Sequence, residues 1–222
     1  MKPWQIKFET HLAQAGAPAV LSRDLLARMA RSARGNLPVA GSSLSHWLKS
    51  AEARGRLQRV QRGLYLNGLR APPGQLADAT GWLRTDAVVS LNTVLGEAGV
   101  LNNPARVVTA VVPVDAGAPP PQLGRKHTVA GTFHFFGLPR RILEAGAARD
   151  RLQTDGGVEH ARATPEKALL DWLYLAASPR SHRTWPVRGD MDLDLLDNKR
   201  LRKLARASGL DKALDDWLRL RR

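Results

Sequence analysis

The chain has 222 residues, no cysteine, 43% hydrophobic residues and a formal net charge of +14. That is enough apolar material for one large or two small packed domains, and it excludes disulfides, thiolate zinc sites and cysteine nucleophiles. No uncharged run is long enough to span a bilayer, and Met1-Lys2-Pro3-Trp4-Gln5 carries no apolar signal core, so a cytoplasmic protein with no membrane partner is expected. The charge is uneven: residues 1–75 hold 12 Lys/Arg against 3 Asp/Glu, the other 147 hold 22 against 17. A basic excess concentrated in the first third fits a polyanion partner.

In chain order, Lys2 to Ala15 predicts an amphipathic helix with Trp4, Phe8 and Leu12 on one stripe, ended by Gly16-Ala17-Pro18. Ser22 is the N-cap of a second helix, with Leu25, Leu26 and Met29 inward and Arg23, Arg28 and Arg31 outward. Gly41-Ser42-Ser43 opens a third helix, whose Leu44, Trp47, Leu48 and Ala51 share one face. Leu57–Val60 and Leu64–Asn67 are strand candidates joined through Gln61-Arg62-Gly63. Three helices and a hairpin within about seventy residues is the order of a winged helix-turn-helix.

Ala71-Pro72-Pro73-Gly74 is the expected domain boundary, dividing the chain into 1–74 and 75–222. Beyond it, 76–83 and 89–98 are expected to be helical and Val107–Val114 a buried strand. Residues 116–121 form a Pro-rich loop, 128–136 a further strand or hairpin, and 158–162 a short strand. Thr164-Pro165 starts a helix running to Ala177, with Thr as N-cap and Pro at the first helical position. A polar loop over 178–190 and two helices, 193–207 and 211–220, complete the chain. The whole is expected to be α+β, a winged helix-turn-helix followed by a mixed α+β domain.

The outward side of the third helix presents Ser42, Ser43, Ser45, His46 and Lys49, side chains that bond phosphates or major-groove acceptors. Arg54, Arg56, Arg59 and Arg62 crowd the helix end and the hairpin, where like charges repel unless a polyanion relieves them. These nine are the candidate DNA-binding residues. Enzyme templates are missing: there is no phosphate loop, no H-E-x-x-H and no G-x-S-x-G. The six histidines lack metal-ligand spacing, although His127 and His134 can face each other across a hairpin. Asp190, Asp192 and Asp194 alternate as in a two-magnesium site, but no Gly-Ser turn precedes them, and Asp192 or Asp194 is more simply a helix N-cap. Asp197-Asn198-Lys199 has the D-x-K order of a nuclease core but falls within a predicted helix. No catalytic residue, metal or cofactor is expected.

Three blocks carry a resemblance to a known family: Gln61-Arg62-Gly63-Leu64-Tyr65-Leu66, then Val88-Val89-Ser90-Leu91-Asn92-Thr93-Val94-Leu95 with Gly99-Val100, then Ala163-Thr164-Pro165-Glu166-Lys167-Ala168-Leu169-Leu170-Asp171 followed by Leu173-Tyr174-Leu175. Together they resemble the AbiEi antitoxins of abortive-infection toxin–antitoxin systems, from the first helix to near the C-terminus. The chain departs from the family's serine–alanine pair at Asn92-Thr93. The resemblance implies a non-enzymatic antitoxin acting in phage defence. Its N-terminal winged helix would repress its own operon by binding inverted repeats in double-stranded promoter DNA. Its C-terminal domain would neutralise a nucleotidyltransferase-like toxin encoded alongside. Thr164, Pro165, Glu166, Lys167 and Asp171 are the motif residues. On the helix, Glu166 and Lys167 are expected to face outward, while Ala168, Leu169, Trp172, Leu173 and Leu175 are core positions. The alternatives are a stand-alone winged-helix regulator with a dimerisation or sensing domain, and a nucleic-acid enzyme using the aspartates.

Overall fold

A computed structural model of the chain describes residues 2–103, 106–117, 119, 121–145, 149–153, 159–181 and 183–219, with backbone alone at 149–153, 159 and 160. The architecture is mixed α+β. It divides into two compact units, Met1–Leu83 with Thr128–Gly131 and Gln153–Glu159, and Arg84–His127 with Thr132–Leu152 and His160–Arg222.

The first unit opens with α1 (Pro3–Ala13), β1 (Val20–Ser22), α2 (Arg23–Ala33), α3 (Gly41–Ala53), β2 (Leu57–Gln61) and β3 (Leu64–Asn67). The predicted stripes are the buried ones: Trp4, Phe8 and Leu12 of α1 meet Leu44, Trp47, Leu48 and Ala51 of α3 in one core, with Phe8 and Trp47 ring centroids 4.6 Å apart. Ser22 caps α2, its Oγ accepting from the Leu25 N–H. The three-residue β1 was not expected; it pairs antiparallel with β3, which lies between β1 and β2. Asn67, fully buried at the end of β3, donates to the carbonyls of Leu12 and Pro18 and accepts from the Leu69 N–H. The Pro-Gly stretch is tied to this sheet, because the Gly74 N–H donates to the Asn67 carbonyl. A Cβ on Gly74 would fall 2.3 Å from the Ala19 oxygen, so only glycine fits there. A 3₁₀ turn over Leu76–Ala79 and α4 (Thr80–Leu83) end the unit's main segment.

The second unit contains β4 (Val88–Val89), α5 (Asn92–Glu97), β5 (Val108–Val114), β6 (Gly124–His127), β7 (Thr132–Pro139), α6 (Arg140–Glu144), β8 (Arg149–Gln153), β9 (Glu159–Ala163), α7 (Pro165–Ala177), α8 (Asn198–Ser208) and α9 (Asp211–Arg219). Its sheet runs β6-β7-β5-β4-β9-β8, with β5 parallel to β7 and β4 parallel to β9. Val158 and Leu220, the outer ends of a predicted strand and helix, lie outside the described residues, as does His182.

Three expectations are corrected here. Residues 89–98 are not one helix: Val88-Val89 joins the sheet, Leu91 turns the chain at φ +59°, and the helix starts at Asn92. The helix expected over 193–207 starts at Asn198 with Asp197 as N-cap, its Oδ1 accepting from the N–H groups of Lys199 and Arg200. The D-x-K resemblance is therefore a helix cap, and Asp192 caps only the short 3₁₀ turn Leu193–Leu195. Finally, Glu166 and Lys167 do not face outward. Both are buried, because α7 packs against α5, α8 and α9 and keeps little free surface in its first two turns.

Lys167 Nζ donates to Asp171 Oδ1 one turn on, and the other Asp171 oxygen accepts from Ser90 Oγ at 2.8 Å. Removing one partner of a buried ion pair strands the other. Lys167→Met should lower unfolding free energy by about 3–5 kcal/mol, measured by chemical denaturation, whereas Lys203→Met on an exposed face should change it by less than about 0.5 kcal/mol.

Candidate nucleic-acid interface

The candidate DNA-binding residues fall into two groups, those free to meet a ligand and those already committed within the protein. α3 starts at Gly41 with Ala40 in the cap position, so no side chain caps its first N–H groups. A bare helix start carries a partial positive charge and unsatisfied donors, the local chemistry that favours an anion. Ser42 and Ser43 sit in that first turn. Ser42, His46 and Lys49 lie along the exposed face of α3, opposite the buried stripe. Arg54 is the C-cap residue, exposed at the far end. Among the described residues, the side chains of Ser42, Ser43, His46, Lys49 and Arg54 have no hydrogen-bond or ion-pair partner.

Ser45 is committed. Its hydroxyl donates to the Gly41 carbonyl at 2.8 Å and accepts from Arg23 Nη2 at 2.9 Å. Arg23 was not among the candidates. The Arg23 N–H donates to the Gly63 carbonyl at 2.8 Å, joining the start of α2 to the β2–β3 turn. As the first residue of α2, it gave no sequence signal beyond its charge.

Arg56 is committed too. It forms an ion pair with Glu9 of α1, whose other oxygen accepts from Trp47 Nε1 at 3.1 Å. It therefore braces α1 against α3. Arg59 lies 3.4 Å from Glu52 in an exposed pair, a contact that contributes little and is easily exchanged for another anion. Across the register from Arg59 is Tyr65, whose hydroxyl is held above its ordinary pKa by burial first and by the Glu52 carboxylate second. Arg62 is exposed at the turn, followed by Gly63 at φ +78°, a conformation that favours glycine. The register slips between Arg59 and Gln61, a bulge that places Gln61 opposite Leu64.

The motif residues of the second unit form a separate constellation. Thr164 caps α7, its Oγ accepting from the Lys167 N–H, and Pro165 occupies the first helical position. Glu166 accepts from the Asp197 N–H at 3.2 Å and lies 3.7 Å from Arg200, linking the starts of α7 and α8. Lys167, Asp171 and Ser90 form the buried chain described above. It continues through Thr109, whose Oγ donates to the Ser90 carbonyl at 2.6 Å and whose N–H donates to Thr93 Oγ at 2.7 Å. Asn92 accepts from Arg183. All of these are internal contacts.

Among the described residues, the histidines and aspartates do not assemble into a site. In the β6–β7 register, His134 faces Arg125 and His127 faces Thr132, so the two histidines are not partners. Asp192 donates its N–H to the Val100 carbonyl and accepts from the Asp194 N–H. Among the described residues, no three His, Asp or Glu side chains lie together as a cation site would need, and no helix is long and apolar enough to cross a membrane.

Comparison with known proteins adds a likeness of fold. No protein-family model matches the chain, and no curated protein sequence matches it. Among solved structures it is similar to the RV2827C protein from Mycobacterium tuberculosis. The TM-score is 0.53 at 17% identity, over 96% of this chain and 78% of that one. At that identity the likeness concerns the fold alone.

The split between free and committed arginines has a direct consequence for stability. Arg56→Ala should cost about 1–3 kcal/mol, because it leaves the half-buried Glu9 without its charged partner, while Arg54→Ala should stay within about 0.5 kcal/mol of the parent. Thermal or urea unfolding of the two variants checks this.

Proposed function

We propose that this chain is a DNA-binding antitoxin of the AbiEi type: it represses its own operon through residues 1–74 and counteracts a nucleotidyltransferase-like toxin through residues 75–222. In this reading α2 and α3 are the helix-turn-helix, α3 is the reading helix, and the β2–β3 hairpin is the wing. The observation that carries it is the exposed face of α3, with an uncapped N-terminus and with Ser42, His46 and Lys49 uncommitted beside it.

The residue types suit the task. Ser42 and Ser43 at the helix start suit a phosphate, approached by backbone N–H groups and hydroxyls together. His46 and Lys49, farther along the helix, suit base acceptors in the major groove. Arg62 at the hairpin tip and Arg59, after exchanging Glu52 for a phosphate, suit the flanking backbone. Ser45 and Arg23 act as a brace that sets the angle between the two helices. Arg56 holds α1 and α3 together rather than meeting DNA.

The antitoxin half rests on the resemblance of the three sequence blocks. The burial of Glu166, Lys167 and Asp171 bears on it: these motif residues hold the fold, and contact with a toxin falls to other, exposed residues. The protein acts by binding and not by catalysis. The toxin is the product of an adjacent nucleotidyltransferase-like gene.

The test uses full-length protein and a duplex carrying its own promoter. Affinity should fall steeply with salt, with a log–log slope of about −0.9 per neutralised phosphate. Lys49→Ala should shrink the preference for promoter over random duplex. Arg62→Ala should weaken both alike and flatten the slope by about 1. Both variants should still rescue cells from the cognate toxin. Binding without salt dependence or promoter preference would refute the repressor half. Absence of rescue by the unmodified chain would leave a stand-alone regulator.

A further inference from the structure

The second unit holds a cavity of about 660 Å³ lined by the β6–β7 hairpin and the C-terminal end of α7. This is within the size range of small-ligand sites. Its walls combine two kinds of chemistry. His134 and Phe136 project from one face of β7 with ring centroids 4.0 Å apart, while Phe133 and Phe135 on the other face are buried. Tyr174 lines the wall nearby, and Val114 and Leu123 add apolar lining. Gly137 faces the other side of β7, where a Cβ would come within 2.6 Å of Val114 and 3.0 Å of Leu123.

Three arginines line the same cavity. Arg125 and Arg180 are exposed at its rim. Arg183 lies deeper, its guanidinium 4.6 Å from the Phe136 ring and 4.5 Å from the Trp172 ring, with one nitrogen donating to Asn92. Its Nε is buried with no hydrogen-bond partner. Burial lowers this guanidinium to about 10, so it remains a cation at neutral pH. Burial, then Arg125 and Arg183, hold His134 below its ordinary value. Among the described residues that line the cavity none is acidic. The negative end of α7 is covered, because Ser178 N–H and Ser181 Oγ take up the Tyr174 and Leu175 carbonyls. Three cations beside an aromatic pair, with no carboxylate among the described lining residues, form a repulsive arrangement that an anion carrying a flat ring would relieve.

We propose that this cavity is a binding site for a nucleoside phosphate, with the base against the His134–Phe136 rings and the phosphate on Arg125 and Arg180. Planar ring faces bind bases by stacking. Arginine forks bind phosphate through paired charge-assisted hydrogen bonds. Arg183, over the Phe136 and Trp172 rings, keeps Phe136 in place. The proposal is independent of promoter binding.

Isothermal titration of the full chain at near-physiological salt, with the common ribonucleoside mono- and triphosphates, tests it. Adenosine, guanosine and inorganic triphosphate serve as half-ligands. At least one nucleotide should bind saturably at one site per chain, more tightly than the nucleoside or inorganic triphosphate alone. The double variant Arg125→Ser/Arg180→Ser alters two exposed side chains. It should weaken that affinity about tenfold or more, the expected effect of removing charge-assisted hydrogen bonds. Phe136→Leu, with its fold verified by circular dichroism, should weaken nucleotide binding while leaving the weak response to inorganic triphosphate unchanged. Promoter binding should be unaltered in both.

The proposal is overturned by the absence of saturable binding to any nucleotide, or by binding that survives the arginine double variant. Inorganic triphosphate binding as tightly as the nucleotides would mean a simple anion site and would overturn it as well. So would a single-stranded oligonucleotide that binds through these residues while mononucleotides do not.

Discussion

The buried Lys167–Asp171 pair, completed by Ser90, is the contact on which the second unit turns. Each charge is tolerated in the interior only while the other is present, so the pair acts as a register lock more than as a source of net stability. It fixes the first turns of α7 against the end of β4. From Ser90 the constraint passes to β5 through Thr109, and from Thr109 to the start of α5 through Thr93. Leu91 between them holds φ +59°, an unfavourable conformation for a branched residue and one that persists only where its neighbours are pinned. Glu166, one residue before the lysine, extends the same device to α8. Ser90 and Thr93 from one stretch of sequence and Lys167 and Asp171 from another thus meet in space as a single polar network inside the core.

A different logic holds in the first unit. There the core is apolar and aromatic, and the polar contacts lie at its margins: Asn67 below the sheet, Glu9 with Arg56 and Trp47, Ser45 with Arg23. These sort the basic residues. A cation that has found a carboxylate inside the protein is largely used up, whereas one that has none keeps its full attraction for an external anion. Formal charge counts the candidate cations alike, but of Lys49, Arg54, Arg56, Arg59 and Arg62 only Arg56 and Arg59 have an ion-pair partner among the described residues.

Much of the fold could be read from the sequence where periodicity was long. The stripes of α1, α3 and α7, the Ser22 and Thr164 caps and the β2–β3 hairpin all stand where the pattern put them, since each is specified locally by burial spacing or a capping side chain. What escaped was short or non-local. β1 and β4 are three and two residues long and exist only because a partner strand is brought alongside. Glu166 and Lys167 have the composition of a solvated first turn. Their burial depends on partners brought in from far along the chain, Asp197 against Glu166 and Ser90 against Asp171. The candidate interface was legible as a charged helix face, but not which members were spoken for, because Glu9 lies 47 residues from Arg56 and no local pattern links them.

The most direct measurement of the central claim is hydrogen–deuterium exchange of the full chain with and without its promoter duplex. Protection is expected at the uncapped start of α3, residues 41–45, and at the turn 61–63, with exchange over 164–171 unchanged. Protection confined to the second unit, or none at α3 under saturating duplex, would contradict the account.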